Sequence, residues 1–434
     1  MTNSSRGRYL DRLVLLATDA AILQAIDEAS KDCPWWPRDA TWRRTYGLFH
    51  PDREAFATLV FQSNGIAQVI FQAEVFVTYP TAPGDGSLIL PAKDLGWIRI
   101  TRFPADPSLN TLAAVIASHP QPTVLRYRPR RRCTVGFEIS SPVSIVKVYP
   151  QKFAKRGRGE QIYASGLALW RTAARGELRF TVARPDRWDL ESRTLWQERC
   201  KGVSVLPKLW GIEGPAVAHS MGQAAASLCC STLKPERVFD GTAQLAASRR
   251  YAEELARRVP GLAPAVDALL NSLTDAHLSG PRRPLRPIHG DLDAGQWLQD
   301  GSQLCLLDFD DFALGDPELD VANFLNELQI QEECGPAVHG LSQAFLAGYE
   351  SVAAPLAVEL LGVYLAHKRL FRALTMARSL RPDGDQRAEH LVRRAWQSLP
   401  PDPSPFAGLN RAHGNPPAQP APPPPAQEQP NLTL

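Results

Sequence analysis

Ile288-His289-Gly290-Asp291, with Gln296 five residues past the acid, runs on into Leu306-Leu307-Asp308-Phe309-Asp310 and then Gly315-Asp316-Pro317. The apolar run Gln303-Leu304-Cys305-Leu306-Leu307 reads as a short buried strand, with Gly301 supplying the turn before it. One acid therefore sits on a loop and a second at the end of the following strand, about one hairpin apart. Moving a phosphoryl group needs a carboxylate to orient the attacking hydroxyl and accept its proton, and further oxygen ligands to hold Mg²⁺ on the donor's phosphates. Asp291 suits the first task and Asp308 the second.

A protein-kinase-like catalytic loop places a metal-binding Asn five residues after the His-x-Asp acid, and a metal-binding Asp on the next strand turn. Here Gln296 takes the Asn position, presenting the same ligand atom on a stem one methylene longer. His289-Gly290-Asp291-Leu292, Leu307-Asp308-Phe309-Asp310 and Gly315-Asp316-Pro317-Glu318-Leu319-Asp320 resemble, in order, three linked motifs of the aminoglycoside phosphotransferase and choline kinase branch of the protein-kinase-like superfamily. The branch often has His where this chain has Asp293. The resemblance implies an α+β, two-lobed protein-kinase-like fold, with a small antiparallel-sheet lobe, a mostly helical lobe, and ATP or GTP with Mg²⁺ as cofactors. Asp291 would be the catalytic acceptor of the hydroxyl proton, and Asp308 with Gln296 the metal ligands. His289 would organise the loop, Asp316 bond its backbone, and Asp320 start the helix Val321 to Gln329.

Such a fold needs a lysine on an upstream strand. Ser144-Ile145-Val146-Lys147-Val148-Tyr149 is a β-branched run with one lysine in its middle, which a strand would aim at the donor's phosphates. Glu160, at the start of the helical stretch Gln161 to Ala174, is placed to pair with Lys147, although the helix dipole alone would favour an acid there. Thr194-Leu195-Trp196-Gln197-Glu198-Arg199 reads as the last small-lobe strand and the hinge, where backbone groups of Gln197, Glu198 and Arg199 would hold the base. Between two strand-like runs, Arg130-Arg131-Arg132 occupies the place of a kinase's glycine-rich loop, either reaching an anion or forming a solvated basic edge. Gly157-Arg158-Gly159 lacks the third glycine and the βαβ context of a dinucleotide fingerprint.

Four regions separate along the 434 residues. Residues 1–115 form an α+β extension, an enlarged first lobe or a separate docking module; 116–200 carry the small lobe; 201–400 carry the helical lobe; 401–434 form a Pro-rich tail expected to be disordered with polyproline character. Helical periodicity marks Ala218–Leu233, Gly241–Arg258, Ala263–Leu273, Gly340–Tyr349 and Val358–Leu380. A formal charge of +3 is too mild to argue for a nucleic-acid partner. Seven scattered cysteines imply neither zinc nor a disulfide framework, and no apolar run reaches membrane-spanning length, so the cytoplasm is the expected compartment. The reading is a small-molecule kinase acting on an aminoglycoside-, amino-alcohol- or sugar-like hydroxyl. The alternative is an inactive kinase-like scaffold, for which Gln296 is the main support. A protein partner would use the extension or the tail.

Overall fold

The computed structural model describes residues 12–28, 40–50, 53–64, 69–80, 87–138, 144–154, 157–279, 283–334 and 340–399. The 401–434 tail lies outside the described residues.

Ten strands build two antiparallel sheets. The first has the order β1-β2-β3-β5-β4, from β1 (Thr41–Phe49), β2 (Ala55–Asn64), β3 (Ile70–Phe76), β4 (Ser87–Ala92) and β5 (Gly96–Arg102). Within β1, Trp42 stands edge-on to Phe71 of β3 at 5.0 Å. β3 is buried on both faces. Phe71, Ala73 and Val75 pack toward the helix Ala20–Glu28, while Ile70 faces the second sheet.

The second sheet has the order β6-β7-β8-β10-β9, from β6 (Thr123–Arg128), β7 (Arg132–Phe137), β8 (Ser144–Val148), β9 (Pro185–Asp189) and β10 (Thr194–Glu198). Alternation sorts its faces. Tyr127, Cys133, Val135, Val146 and Val148 share a core with Val60 and Ile70 of the first sheet. Arg126, Thr134 and Lys147 are cross-strand partners in one row, so their side chains stand together on the opposite face.

Residues beyond 200 are mostly helical. Gly214–Cys229 packs against Leu341–Glu350, and Val358–Ala377 against Gly384–Ser398 and Pro317–Cys334. Pro317 begins that last helix, three residues before the Asp320 expected to start it, as suits a proline at the first helical position. The strands Trp297–Asp300 and Gln303–Leu306 form the hairpin read from the sequence, with Gly301 at φ +59°. The first sheet also reaches this lobe: Phe49 N–H donates to Arg378 O at 2.8 Å, Arg258 donates to Phe49 O at 3.1 Å, and Leu380 joins the core of the first sheet.

Among the described residues no helix is long and apolar enough to cross a membrane. The described cysteines Cys133, Cys200, Cys229, Cys230 and Cys305 are free thiols.

Candidate active site

A cavity of about 480 Å³ lies between the second sheet and the hairpin. Lys147, Gln197, Glu198, Arg199, Asp291, Gln296 and Asp308 all line it, so the folding brings together residues up to 161 positions apart.

Asp308 is the electrostatic centre. Its backbone is left-handed at φ +67°, unusual for a residue with a side chain, and this turns the carboxylate off the strand end into the cleft. Lys147 Nζ donates to Asp308 Oδ1 and to Asp310 Oδ1, both at 2.7 Å. Arg132 donates to both oxygens of Asp308 at 2.9 Å and also to Asp310. Burial pushes the Asp308 carboxyl up, but Lys147 and Arg132 outweigh it and hold it well below the usual range. Tyr149 Oη donates to Asp310 Oδ2 at 3.0 Å.

Asp291 sits at the mouth, its side chain 60% exposed. Crowding by the surrounding protein raises its carboxyl above the usual range against the pull of Lys368, whose Nζ is 3.7 Å from Oδ1. The loop carrying it is shaped from beneath. Gly290 has φ +86°, and a Cβ there would lie 2.3 Å from Asp311 O. Fully buried His289 is within 2.9 Å of Leu307 O through Nε2, which ties the loop to the residue before Asp308.

Two expectations are corrected here. Asp320, not Asp316, bonds the loop backbone, accepting from His289 N–H at 2.5 Å and Gly290 N–H at 2.8 Å, while Asp316 accepts from Tyr364 Oη at 2.5 Å. The two acids are four residues apart and near one helix start, so either could have been the reaching one. Glu160 is exposed and does not pair with Lys147, whose ammonium is taken by Asp308 and Asp310. The helix Arg158–Ala174 contributes a cation instead: Arg158 donates to Asp310 O at 2.8 Å and Asp311 Oδ1 at 3.1 Å. Gly159 beside it is a packing glycine, since a Cβ would lie 2.1 Å from the Trp188 ring.

The basic turn divides. Arg130, left-handed at φ +60°, turns away to Glu74 of β3 at 2.9 Å, and its N–H donates to Asp106 at 2.8 Å. Arg131 lines the cavity and Arg132 crosses to Asp308. Arg126 and Arg128 were not singled out from the sequence, yet both line the cavity, neither has a carboxylate within 4 Å among the described residues, and burial lowers both, Arg128 to about 10. The signal was present: a two-residue period along Arg126-Tyr127-Arg128 puts both guanidinium groups on the face of Lys147.

Gln296 Oε1 accepts from Asp293 N–H at 2.9 Å in a capping box, while Asp293 Oδ1 accepts from Gly295 N–H at 2.8 Å. A carbonyl oxygen has a second lone pair, so the contact leaves one for a cation. Among the described residues no three His, Cys, Asp or Glu side chains converge as a metal cage. Hard oxygens from Asp308 and Gln296 nevertheless match Mg²⁺, which takes one or two protein ligands and fills its shell with phosphate and water.

A family model described as "Phosphotransferase enzyme family", APH, matches residues 184–355. Comparison with curated proteins finds no match. Among solved structures, the amicoumacin kinase hAmiN in complex with AMP-PNP, Ca²⁺ and Ami aligns at 14% identity and a TM-score of 0.50, covering 68% of this chain and 96% of that one. The choline kinase LicA from Streptococcus pneumoniae aligns at 15% identity and TM-score 0.48, covering 67% and 98%. The ADP-bound aminoglycoside phosphotransferase APH(2'')-Ib aligns at 14% and 0.43, covering 68% and 98%. The chain has a kinase-like fold preceded by an extra N-terminal region, and its segment 184–355, which carries Asp291 and Asp308, is similar to the APH phosphotransferase enzyme family.

Proposed function

We propose that this protein transfers the γ-phosphoryl group of ATP or GTP to a hydroxyl of a small molecule. The observation that carries the reading is the meeting of Lys147, Asp308 and Asp291 on one cleft backed by the Gln197–Arg199 hinge. Asp291 accepts a hydrogen bond from the acceptor hydroxyl and takes its proton as the new O–P bond forms in line with the breaking bond to the leaving nucleoside diphosphate. Its carboxyl, raised by burial, makes it a better proton acceptor than an ordinary surface aspartate. No covalent enzyme intermediate is needed.

Lys147 binds the donor's phosphates, joined by Arg126, Arg128 and Arg132 from the face of the second sheet. In kinases a glycine-rich loop covers the phosphates with backbone N–H groups; here guanidinium groups do so, trading close backbone approach for charge. Backbone groups of Gln197, Glu198 and Arg199 hold the base. Glu198 N–H already donates to Arg184 O at 2.9 Å, so donors for the base come from Arg199 onward. Asp308 and Gln296 would hold Mg²⁺, which when bound would supply neutralisation of the donor's phosphate charge. For Asp308 to serve, Arg132 must leave it for the phosphates. We read residues 1–115 as an enlargement of the first lobe, because the two sheets share one core.

A second reading, a nucleotide-binding scaffold without transfer, draws on Asp308 being closed off by Arg132 and Lys147 and on Gln296 being used as a cap. Thermal-shift titration with ATP and GTP, with and without Mg²⁺, on wild type and Asp308→Ala separates the two. Mg²⁺-dependent stabilisation lost in the variant supports transfer; stabilisation by nucleotide alone, equal in both, supports the scaffold.

A further inference from the structure

A second cavity, of about 350 Å³, shares Asp291 and Asp311 with the first. Under the phosphotransferase reading, on which this inference rests, it is the place for the acceptor, because a hydroxyl entering it meets Asp291.

Its charges decide what can enter. Asp291 and Asp311 are its only acids among the described residues, and each already has a cationic partner. Asp311 Oδ1 is taken by Arg237 at 2.7 Å and Arg158 at 3.1 Å. Asp291 is assigned to the hydroxyl. Against them stand Lys368 and Arg250. The Lys368 side chain is only 9% exposed, lies over the Phe371 ring at 5.7 Å, and makes no hydrogen bond to another described residue; its nearest anion is Asp291 at 3.7 Å. A desolvated ammonium with three unused donors is costly unless a ligand supplies acceptors. Arg250, exposed at the rim, has no carboxylate within 4 Å among the described residues. The rest of the polar wall is Arg237, already paired with Asp311, and the neutral Gln244, Tyr251, Asn323, Tyr364 and His367. A polycationic acceptor would meet Lys368 and Arg250 as like charges, with both acids already paired.

We propose that the acceptor is a small hydroxylated anion, carrying one carboxylate or phosphate close to the hydroxyl that is phosphorylated. Lys368 holds the anionic group beside Asp291, and Arg250 receives it at the rim. The short distance from Lys368 to Asp291 sets the spacing: the anionic group lies within a few bonds of the reacting hydroxyl.

The test pairs calorimetric binding without nucleotide with nucleotide consumption, on glycerate, glycerol 3-phosphate, glycerol and choline. Glycerate and glycerol 3-phosphate distinguish a carboxylate from a phosphate. At least one anion should bind, and be phosphorylated, about tenfold better than glycerol and choline, as expected for a charge-assisted hydrogen bond. Lys368→Met, which keeps the buried stem, should abolish that preference while the thermal shift with Mg²⁺–nucleotide is unchanged. Arg250→Ala, at the rim, should weaken anion binding severalfold and serves if Lys368→Met fails to fold. Equal or better binding of glycerol or choline, or no binding of either anion, overturns the proposal. Absence of any nucleotide shift in wild type would instead sink the phosphotransferase reading, while calorimetry with the anions still decides the character of the cavity.

Discussion

Arg132 grips both carboxylate oxygens of Asp308 from the opposite wall of the cleft, at 2.9 Å each, across 176 residues of sequence. The pair joins the two lobes through the atoms that a metal and a nucleotide would need. Removing one partner of a buried pair costs about 3–5 kcal/mol when nothing replaces it. Lys147 still bonds Asp308 at 2.7 Å in an Arg132→Ala variant, so we expect a loss near or below the lower end of that range, measured by urea unfolding. The same variant should bind Mn²⁺ more tightly than wild type in the absence of nucleotide, followed by paramagnetic resonance. Unchanged Mn²⁺ affinity would mean that Arg132 does not guard Asp308.

Asp291→Asn keeps the shape of the loop and removes the proton acceptor. Turnover should fall by about 10²–10⁴-fold, the usual contribution of a positioned general base, while stabilisation by Mg²⁺–nucleotide persists. Turnover close to that of wild type would take Asp291 out of the chemistry.

The support beneath the loop is separable. Asp320→Ala leaves the N–H groups of His289 and Gly290 without their acceptor inside the protein, and about 1–3 kcal/mol for each orphaned group is expected in denaturant titrations. Tyr364→Phe removes only the bond to Asp316 and should cost about 1.5–3 kcal/mol, as for a hydrogen bond to a charged acceptor. If the Tyr364 variant proved the more damaging for turnover, the assignment of Asp320 as the loop's anchor would fail.

Acid should unfold the protein through two histidines. Burial, then Arg53, Arg258 and Arg378, lower His50 from 6.5 to about 4; burial and the neighbouring His277 lower His367 to about 3. Both are neutral when folded, whereas the unfolded chain takes up protons below about 6.5. Their contribution to stability is therefore complete above 6.5 and is lost progressively as the pH falls toward 4 and then 3. Melting temperature followed from pH 7 to 4 should decline across that window, and His367→Gln should flatten part of the slope; a flat profile in wild type would contradict the buried neutral state.

Local features of the sequence proved the most legible. The hairpin around Gly301, the lysine-bearing strand β8 and the helices with clear apolar periods follow from period and turn chemistry within a dozen residues. What could not be read was the destination of long side chains. Arg132, Arg158 and Arg237 are ordinary surface-type residues in one dimension, and only the fold shows them converging on Asp308 to Asp311 from separate elements. Lys368 is invisible for the same reason: its helix reads as core, and its neighbour Asp291 lies 77 residues earlier. Glu160 failed because an acid in a first helical turn has a sufficient cause in the helix dipole, with no partner required.

The contacts of Phe49 and Leu380 give the first sheet a grip on the far lobe, well away from the Gln197–Arg199 crossing. The two lobes of this protein are held at the Phe49 seam as well as across the cleft, so opening the cleft also means breaking the Phe49 contacts. Ligand entry then depends on the arginine side chains that line the cleft, Arg132 first, letting go of Asp308.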